Sequence, residues 1–290
     1  MAVALAVELI QATVQVEQPL GDGTRTVGTG FLIADPTPDG APRTILVTAN
    51  HVLQGMPGAT AQIGFRVQHA DGSWSYAPAP LKIRDPQGHA LWTHHPSRDV
   101  AAIAITAPPE FAKAAIPENY LASDETFTRW QVGAGDMMMA LGFPRGLSAN
   151  PAGFPILRSG RVASYPVAPA KAFPTFLLDF AVFPGNSGGP VFMAEETRGG
   201  QGAPSATAAA TPASTGPQPS ATAPEFIAGL LTQQVELNSE RLEIGIVTHA
   251  KFIRETLDLV DNPKAKVTLA ESEPVEGAKT ASAYEAARAE

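Results

Sequence analysis

The sequence contains no cysteine, and this absence excludes several kinds of chemistry at once. Without thiols the chain has no disulfide framework, no thiolate zinc site and no cysteine nucleophile. Basic residues are also scarce, because 20 Lys and Arg stand against 28 Asp and Glu and give a net charge of −8. Such a chain has no basic face that could release counterions from phosphates, so the sequence predicts no nucleic-acid partner.

Long apolar runs are missing as well. The apolar start of the chain, residues 2–7, is interrupted by Glu8 and is too short to cross a membrane. It also lacks the cationic leader and the small-residue cleavage site of a secretory signal. We therefore expect no membrane span and a cytoplasmic location, unless a leader has been removed.

Short β-branched and apolar runs dominate most of the 290 residues and are separated by Gly, Pro, Asn and Asp. This pattern predicts an all-β fold built of sandwiches or barrels, and barrels leave no exposed sheet edge. Helical spacing of apolar residues is convincing only at 251–260, where we predict one helix. The predicted strands are 12–17, 30–34, 43–48, 62–67, 100–105, 137–141, 175–180, 190–193, 226–232 and 242–248.

Three segments interrupt the strand pattern. Residues 107–135 begin with prolines and are weakly periodic, so we expect them to connect two halves of the chain. Residues 203–224 are almost entirely Ala, Pro, Ser and Thr and cannot bury enough apolar surface to offset their ordering entropy. We predict a disordered insertion there and a solvated tail at 261–290.

A glycine-rich turn, 184–190 (Pro-Gly-Asn-Ser-Gly-Gly-Pro), lies between two predicted strands. A nucleophilic serine needs its hydroxyl held outward at a tight turn, with backbone N–H groups converging where an oxyanion forms. Gly185 permits the backbone angles that turn an N–H into such a hole, and Gly188 and Gly189 let a substrate backbone approach closely. We predict Ser187 as the nucleophile and the amides of Gly185 and Ser187 as oxyanion donors; a plain hairpin turn is the alternative.

A base and an orienting acid precede this serine. His51 follows the apolar strand 45–47, and the small Ala49 beside it leaves room for the imidazole to point into a cleft. Asp99 stands at the mouth of an apolar strand, where a buried carboxylate can fix the imidazole tautomer. Each residue alone could be structural, but their order of base, acid and serine predicts a catalytic triad of His51, Asp99 and Ser187.

These segments carry a family resemblance. Residues 48–52, 99–103 and 185–190 resemble the three signature motifs of trypsin-like serine peptidases of the chymotrypsin fold. The bacterial HtrA-like branch is the most similar. Weaker similarity extends over 28–33, 141–146, 159–162 and 242–260.

The resemblance implies two antiparallel β-barrels with a short C-terminal helix and the active site in the crevice between them. Residues 1–110 would form the barrel with His51 and Asp99, and 111–135 the connection. Residues 136–260 would form the barrel with the nucleophile, interrupted by a disordered insertion at 196–224, and 261–290 would be a disordered tail.

The implied activity is that of a serine endopeptidase, which cleaves protein or peptide substrates through an acyl-enzyme and needs no metal or organic cofactor. Asn186 stands where the digestive enzymes have an aspartate that pairs with a newly cut N-terminus. A neutral amide cannot form that ion pair, so we expect activity without zymogen cleavage. Asp179 matches an acid common in HtrA-like members, and we expect it to be structural, within the pocket wall.

The resemblance also implies a substrate pocket without charge. Its predicted residues are Ala181 and Val182 near the base and Ala228, Gly229 and Leu230 on the opposing strand. We therefore expect a small or medium aliphatic residue before the scissile bond. His249 could instead favour an acidic residue, but it lies outside the position expected for that role.

Two other readings remain open. A catalytically silent protein of this fold could act as a binding or scaffold module, since the sequence cannot show whether the oxyanion hole is formed. An esterase is disfavoured, because its usual order is Ser, Asp, His with a helix after the serine.

The 30 residues after Val260 are too few for the PDZ domain usual in HtrA-like proteins. We expect the 203–224 insertion or the tail to be possible docking segments for a partner.

Overall fold

The computed structural model describes residues 5–194, 224–237 and 240–262, and for residues 233–237, 240 and 241 it describes the backbone only. The predicted insertion at 196–224 lies outside the described residues except for Pro224. The predicted tail at 261–290 lies outside them except for Asp261 and Asn262, and Asp261 belongs to the last helix.

The first half of the chain folds into one eight-stranded sheet. Its strands run antiparallel in the order β5-β4-β1-β2-β3-β7-β6, and the short β8 pairs in parallel with β2. The chain just after β5 meets the chain just before β6, because Leu91 N–H donates to Ile83 O at 3.0 Å. The sheet therefore curls until its two edges meet. The strands are β1 Thr13–Pro19, β2 Arg25–Ala34, β3 Thr44–Thr48, β4 Thr60–Gln68, β5 Trp74–Lys82, β6 Thr93–His94, β7 Ala101–Ile105 and β8 Ile116–Pro117.

The second half forms a closed six-stranded barrel. Its strand order is β10-β11-β14-β13-β12-β9, and every pair is antiparallel. The chymotrypsin-like fold expected from the sequence is confirmed. The strands are β9 Met137–Gly142, β10 Ile156–Val162, β11 Thr175–Asp179, β12 Pro190–Met193, β13 Phe226–Leu237 and β14 Glu240–His249.

The ten predicted strands all correspond to strands of the structure, whereas β5, β6, β8 and β10 were not predicted. Strand β5 contains Pro78 and Pro80, which weaken a strand signal and are tolerated at a sheet edge. The predicted helix at 251–260 is confirmed as α5, Ala250–Asp261. Four shorter helices were missed, because one or two turns give no usable periodicity. They are α1 Leu5–Ala12, α2 Asn50–Gln54, α3 Pro109–Ala114 and α4 Asp124–Arg129.

Helix α5 leaves the barrel and packs against β6 and β7 of the first half. Its apolar side is buried through Phe252, Ile253 and Leu257. At its end, Arg43 of the first half pairs with Asp261 at 2.5 Å. The two halves are therefore tied together behind the crevice that separates them. No helix within the described ranges is long and apolar enough to span a bilayer.

Candidate active site

The predicted base and acid meet at the ends of two neighbouring strands. His51 lies in the first turn of α2, directly after β3, and Asp99 lies just before β7, which pairs with β3. His51 Nδ1 is 2.6 Å from Asp99 Oδ2, and the backbone N–H of His51 donates to Asp99 Oδ1 at 2.9 Å. The carboxylate thus holds the proton on Nδ1 and leaves Nε2 as the acceptor. The expected burial of Asp99 is wrong, because 35% of its side chain is exposed, beside an imidazole that is 49% exposed.

Both ends of helix α2 are anchored, which fixes the place of His51. At its start, Trp92 Nε1 donates to Asn50 Oδ1 at 2.9 Å. Beyond its end, the Arg84 guanidinium donates to Gly58 O at 2.9 Å and lies 5.2 Å from the centre of the Trp92 ring. A helix of five residues is too short to be stable on its own, so these tertiary contacts hold it in place.

The loop that carries Asp99 is anchored by a second, buried histidine. His95 is 3% exposed, its backbone N–H donates to Val100 O at 3.0 Å, and its Nδ1 accepts from Ser97 N–H at 3.2 Å. Because Nδ1 accepts, the ring proton lies on Nε2, which donates to Glu255 of α5 at 3.0 Å. Burial alone would raise the pKa of Glu255, but the hydrogen bonds from His95 and Lys251 outweigh it and hold that pKa below its usual value. Sequence reasoning missed this bridge from the last helix to the acid loop.

The turn that carries Ser187 needs its glycines. Gly185 has φ +97° and Gly188 has φ +89°, in the left-handed region that favours glycine. A Cβ on Gly185 would lie 2.3 Å from Phe143 O, and one on Gly188 would lie 2.0 Å from Thr29 O. Any side chain at either position would push the turn out of place.

A threonine of the first half holds this turn from across the crevice. Thr29 Oγ1 donates to Gly185 O at 2.6 Å and accepts from Phe143 N–H at 3.1 Å. The backbone N–H of Thr29 also donates to Ser187 O at 2.9 Å. Thr29 lies inside the 28–33 segment, but its role could not be predicted because its partners are more than one hundred residues away.

The amides of Gly185 and Ser187 donate to no acceptor among the residues that the structure describes. Between them, Asn186 N–H donates to Phe183 O at 3.0 Å. The Asn186 side chain is 3% exposed, and within the described chain its Nδ2 has no hydrogen-bond partner. Within the described chain, the two amides predicted as oxyanion donors therefore have no acceptor.

His51, Asp99 and Ser187 line a single cleft of about 450 Å³. In this conformation Ser187 Oγ donates to the carbonyl of Thr232 at 3.2 Å, and the described contacts include no hydrogen bond from it to His51. Active-site hydrogen bonds are often long or misaligned before a substrate binds, so this conformation is compatible with a bond between the hydroxyl and the imidazole in a substrate complex. The remaining lining residues are Val182, Phe183, Pro184 and Thr232.

The specificity residues are placed differently from the prediction. Val182 lines the cleft and Ala181 precedes it, but Ala228, Gly229 and Leu230 are not cleft residues. Ala228 and Leu230 are fully buried in the barrel, and a Cβ on Gly229 would lie 2.1 Å from Thr248 O. Of the β13 residues whose side chains the structure describes, 226–232, the cleft lining contains Thr232, in the stretch where a bulge shifts the register against β14.

Two further residues lie away from the cleft. Asp179 is exposed at the end of β11, so the expectation that it belongs to the pocket wall is wrong. His249 is buried between the rings of Phe127 and Phe176, and this burial lowers its pKa from 6.5 to about 4. As expected, it is outside the pocket. Within the described ranges no three His, Asp or Glu side chains cluster as a metal site would need.

The curled sheet, the closed barrel and the cleft between them define a chymotrypsin-like fold. A family model for the trypsin-like peptidase domain matches residues 28–198, which is more than half of the chain. The chain therefore belongs to the trypsin-like peptidase family, a class of serine endopeptidases. No curated protein sequence matches it.

Similar solved structures are HtrA-type and related proteases. The HtrA-type protease AlgW with a tripeptide is 14% identical with a TM-score of 0.51, over 90% of this chain and 63% of that chain. A protease from Arthrobacter nicotinovorans, Anisep, is 17% identical with a TM-score of 0.46, over 85% of this chain and 93% of that one. The chain thus spans less than two thirds of the AlgW length. At such identities the AlgW likeness supports the fold alone.

Proposed function

We propose that the chain is an active serine endopeptidase in which Ser187 is the nucleophile, His51 the base and Asp99 the orienting acid. One observation carries the proposal. The three side chains line one cleft, and the imidazole is already held through Nδ1 at 2.6 Å from the carboxylate. That contact occupies Nδ1 and leaves Nε2 as the ring nitrogen able to take a proton.

The reaction would follow the general course of triad hydrolysis. Ser187 Oγ leaves the Thr232 carbonyl, gives its proton to His51 Nε2 and attacks the scissile carbonyl. The amides of Gly185 and Ser187 donate to the resulting oxyanion, while Asp99 stabilises the imidazolium. His51 then protonates the leaving amine, and a water molecule hydrolyses the acyl-enzyme by the same steps. The hydrogen bond given up at Thr232 costs about 1 kcal/mol, a small part of any such barrier.

The proposed preference is a small or medium aliphatic residue before the scissile bond. Val182 forms an apolar wall of the cleft, and behind it a Cβ on Gly245 would lie 2.9 Å from Val182 Cγ2 and 3.1 Å from Leu231 Cδ1. This wall offers no carboxylate to a basic side chain. A peptide library cleaved strictly after Arg or Lys would contradict the preference.

We also propose that activity needs no N-terminal cleavage. The support is Asn186, a buried neutral amide beside the nucleophile that cannot form an ion pair with a new N-terminus. Activity that appears only after N-terminal processing would contradict this. The cytoplasmic location and the docking of a partner through 203–224 or the tail stay predictions of the sequence.

Fluorophosphonate labelling and casein hydrolysis by the wild type and Ser187→Ala test the proposed activity. We expect both signals in the wild type and neither in the variant, with turnover lower by a factor on the order of 10⁶. A wild type that binds no fluorophosphonate and leaves casein intact would be a catalytically silent protein of this fold. A wild type that is labelled and cleaves esters but no peptide would be an esterase.

A further inference from the structure

Two arginines converge on one aromatic wall of the cleft. Phe183 lines the cleft beside Val182 and Ser187. The Arg145 guanidinium lies over the Phe183 ring at 5.4 Å from its centre, and the Arg158 guanidinium lies over the same ring at 5.3 Å. We call Arg145 and Arg158 the arginine pair.

No carboxylate that the structure describes compensates the charge of the arginine pair. Within the described chain, neither guanidinium has a carboxylate within 4 Å. Other arginines of the same molecule do, since Arg43 pairs with Asp35 and Asp261, and Arg254 with Glu118. In a protein of net charge −8, two guanidiniums beside one ring, with no ion pair to a described carboxylate, form a local positive site.

The backbone places Arg145 close to the reacting centre. Its N–H donates to Pro184 O at 2.6 Å, and Pro184 immediately precedes Gly185, whose amide is a proposed oxyanion donor. Arg145 has φ +52°, a backbone conformation that residues with a Cβ adopt rarely. Its side chain is exposed, whereas Arg158 is half-buried and also lies 5.9 Å from the Phe180 ring.

A guanidinium is always charged and offers a planar fork of donors that fits a carboxylate, and it can do so while stacked on an aromatic ring. We propose that the arginine pair is a specificity subsite that binds an acidic side chain of the substrate within a few residues of the scissile bond. Arg145 makes the direct contact, and Arg158 supports the Phe183 ring and adds charge. This acidic side chain belongs to a different substrate residue from the aliphatic one that contacts Val182. The inference rests on the proposed peptidase activity.

The test uses the full chain and matched fluorogenic peptides. A neutral parent peptide is taken from a library digest, and Glu or Gln is placed at each of the three positions on either side of the cleaved bond, except the one before it. We expect kcat/KM for the Glu peptide to exceed that for the Gln peptide by about fivefold at one or more positions, the upper range for an exposed ion pair. The ratio should fall toward one in high salt, because salt screens exposed charges.

Variants assign the preference to the arginine pair. Arg145→Gln should abolish the Glu-over-Gln ratio, Arg145→Lys should retain part of it, and Arg158→Gln should reduce it. Gln and Lys both keep a Cβ at the left-handed position, so the backbone cost is unchanged. Arg129→Gln is the matched control, because Arg129 is stacked at 5.3 Å on Trp130, a ring that does not line the cleft, whereas the arginine pair is stacked on the cleft residue Phe183. This variant should leave the ratio as in the wild type.

Two results would overturn the inference. One is a wild type that cleaves neutral peptides and binds fluorophosphonate at Ser187 but prefers Glu at no position; the proposed peptidase activity would then stand without the subsite. The other is a preference that persists in Arg145→Gln. A wild type that is neither labelled nor active on any peptide would overturn the proposed function, and the subsite with it.

Discussion

The two sides of the cleft are held in different ways. On the histidine side, His51 and Asp99 already contact each other, and the helix and the loop that carry them are tied by Trp92, Arg84 and His95. On the serine side, Ser187 donates to Thr232 rather than to the base, and two amides point at no described acceptor. The proposed base and acid are therefore already in contact, whereas the proposed nucleophile and oxyanion donors have no such contact within the described chain.

A substitution on the histidine side of the cleft should lower kcat more than one on the serine side. In Asp99→Asn the new amide can donate to Nδ1, which moves the ring proton to Nε2 and leaves no acceptor for the serine proton. We expect kcat to fall by a factor on the order of 10⁴ with little loss of folding stability. Steady-state kinetics and urea unfolding of the variant measure the two effects.

A second Asp–His pair provides the control for this change. Asp85 Oδ2 is 2.9 Å from His89 Nδ1, and Asp85 Oδ1 accepts from the His89 backbone N–H, so the contact repeats that of Asp99 with His51 outside the cleft. Asp85→Asn should leave kcat unchanged. Equal losses in the two variants would show that the Asp99 effect is a general consequence of losing a carboxylate.

A substitution on the serine side should lower kcat less, because it changes the position of the oxyanion donors rather than the proton transfer. Thr29→Val keeps the side-chain shape but removes the hydroxyl that bonds Gly185 O and Phe143 N–H. Two buried backbone groups then lose partners, which should cost about 2–4 kcal/mol of unfolding free energy. We expect kcat to fall on the order of 10- to 100-fold, because the Gly185 amide is displaced from the oxyanion position.

The matched control for this variant is Thr13→Val. Thr13 is also fully buried, but its hydroxyl donates to Leu9 O at 2.7 Å rather than to the serine turn. It should lose stability in urea unfolding but keep kcat. If Thr29→Val also kept full kcat, the position of the serine turn would not depend on the hydrogen bonds of the Thr29 hydroxyl.

Local and distant determinants explain what the sequence could and could not predict. The sequence could suggest that His51, Asp99 and Ser187 share one cleft, because each stands at a strand end or in a glycine turn that is visible within a few positions. Residues 228–230 were predicted to form the opposing strand of the pocket, whereas the cleft lining contains Thr232 of the same strand, where the register against β14 shifts. Thr29 and the His95–Glu255 bridge act on partners far along the chain, 156 and 160 residues away. No local pattern records such contacts.

The smallest expected effect on activity comes from a third histidine, which lies on neither side of the cleft. His249 is buried, its Nε2 has no hydrogen-bond partner in the described chain, and burial lowers its pKa from 6.5 to about 4. Between pH 4 and pH 6.5, His249 binds a proton in the unfolded chain but not in the folded chain. The free energy of unfolding therefore increases with pH over this range. As the pH falls from 7 toward 4, the pKa difference at His249 should therefore lower the free energy of unfolding by up to about 3 kcal/mol.

Urea unfolding of the wild type and His249→Asn at pH 7, 6, 5 and 4.5 isolates this term. Asn cannot titrate but can still donate a hydrogen bond, so the variant should lose less stability than the wild type as the pH falls, while its kcat at pH 7 stays near normal. His89→Gln is the control, because His89 is exposed and its replacement should leave the wild-type slope. Parallel pH profiles for the wild type and His249→Asn would show that His249 does not limit acid stability. Because His249 does not line the cleft, a pH-dependent loss of stability at this residue with normal kcat at pH 7 would also show that the fold can be destabilised without changing either side of the cleft.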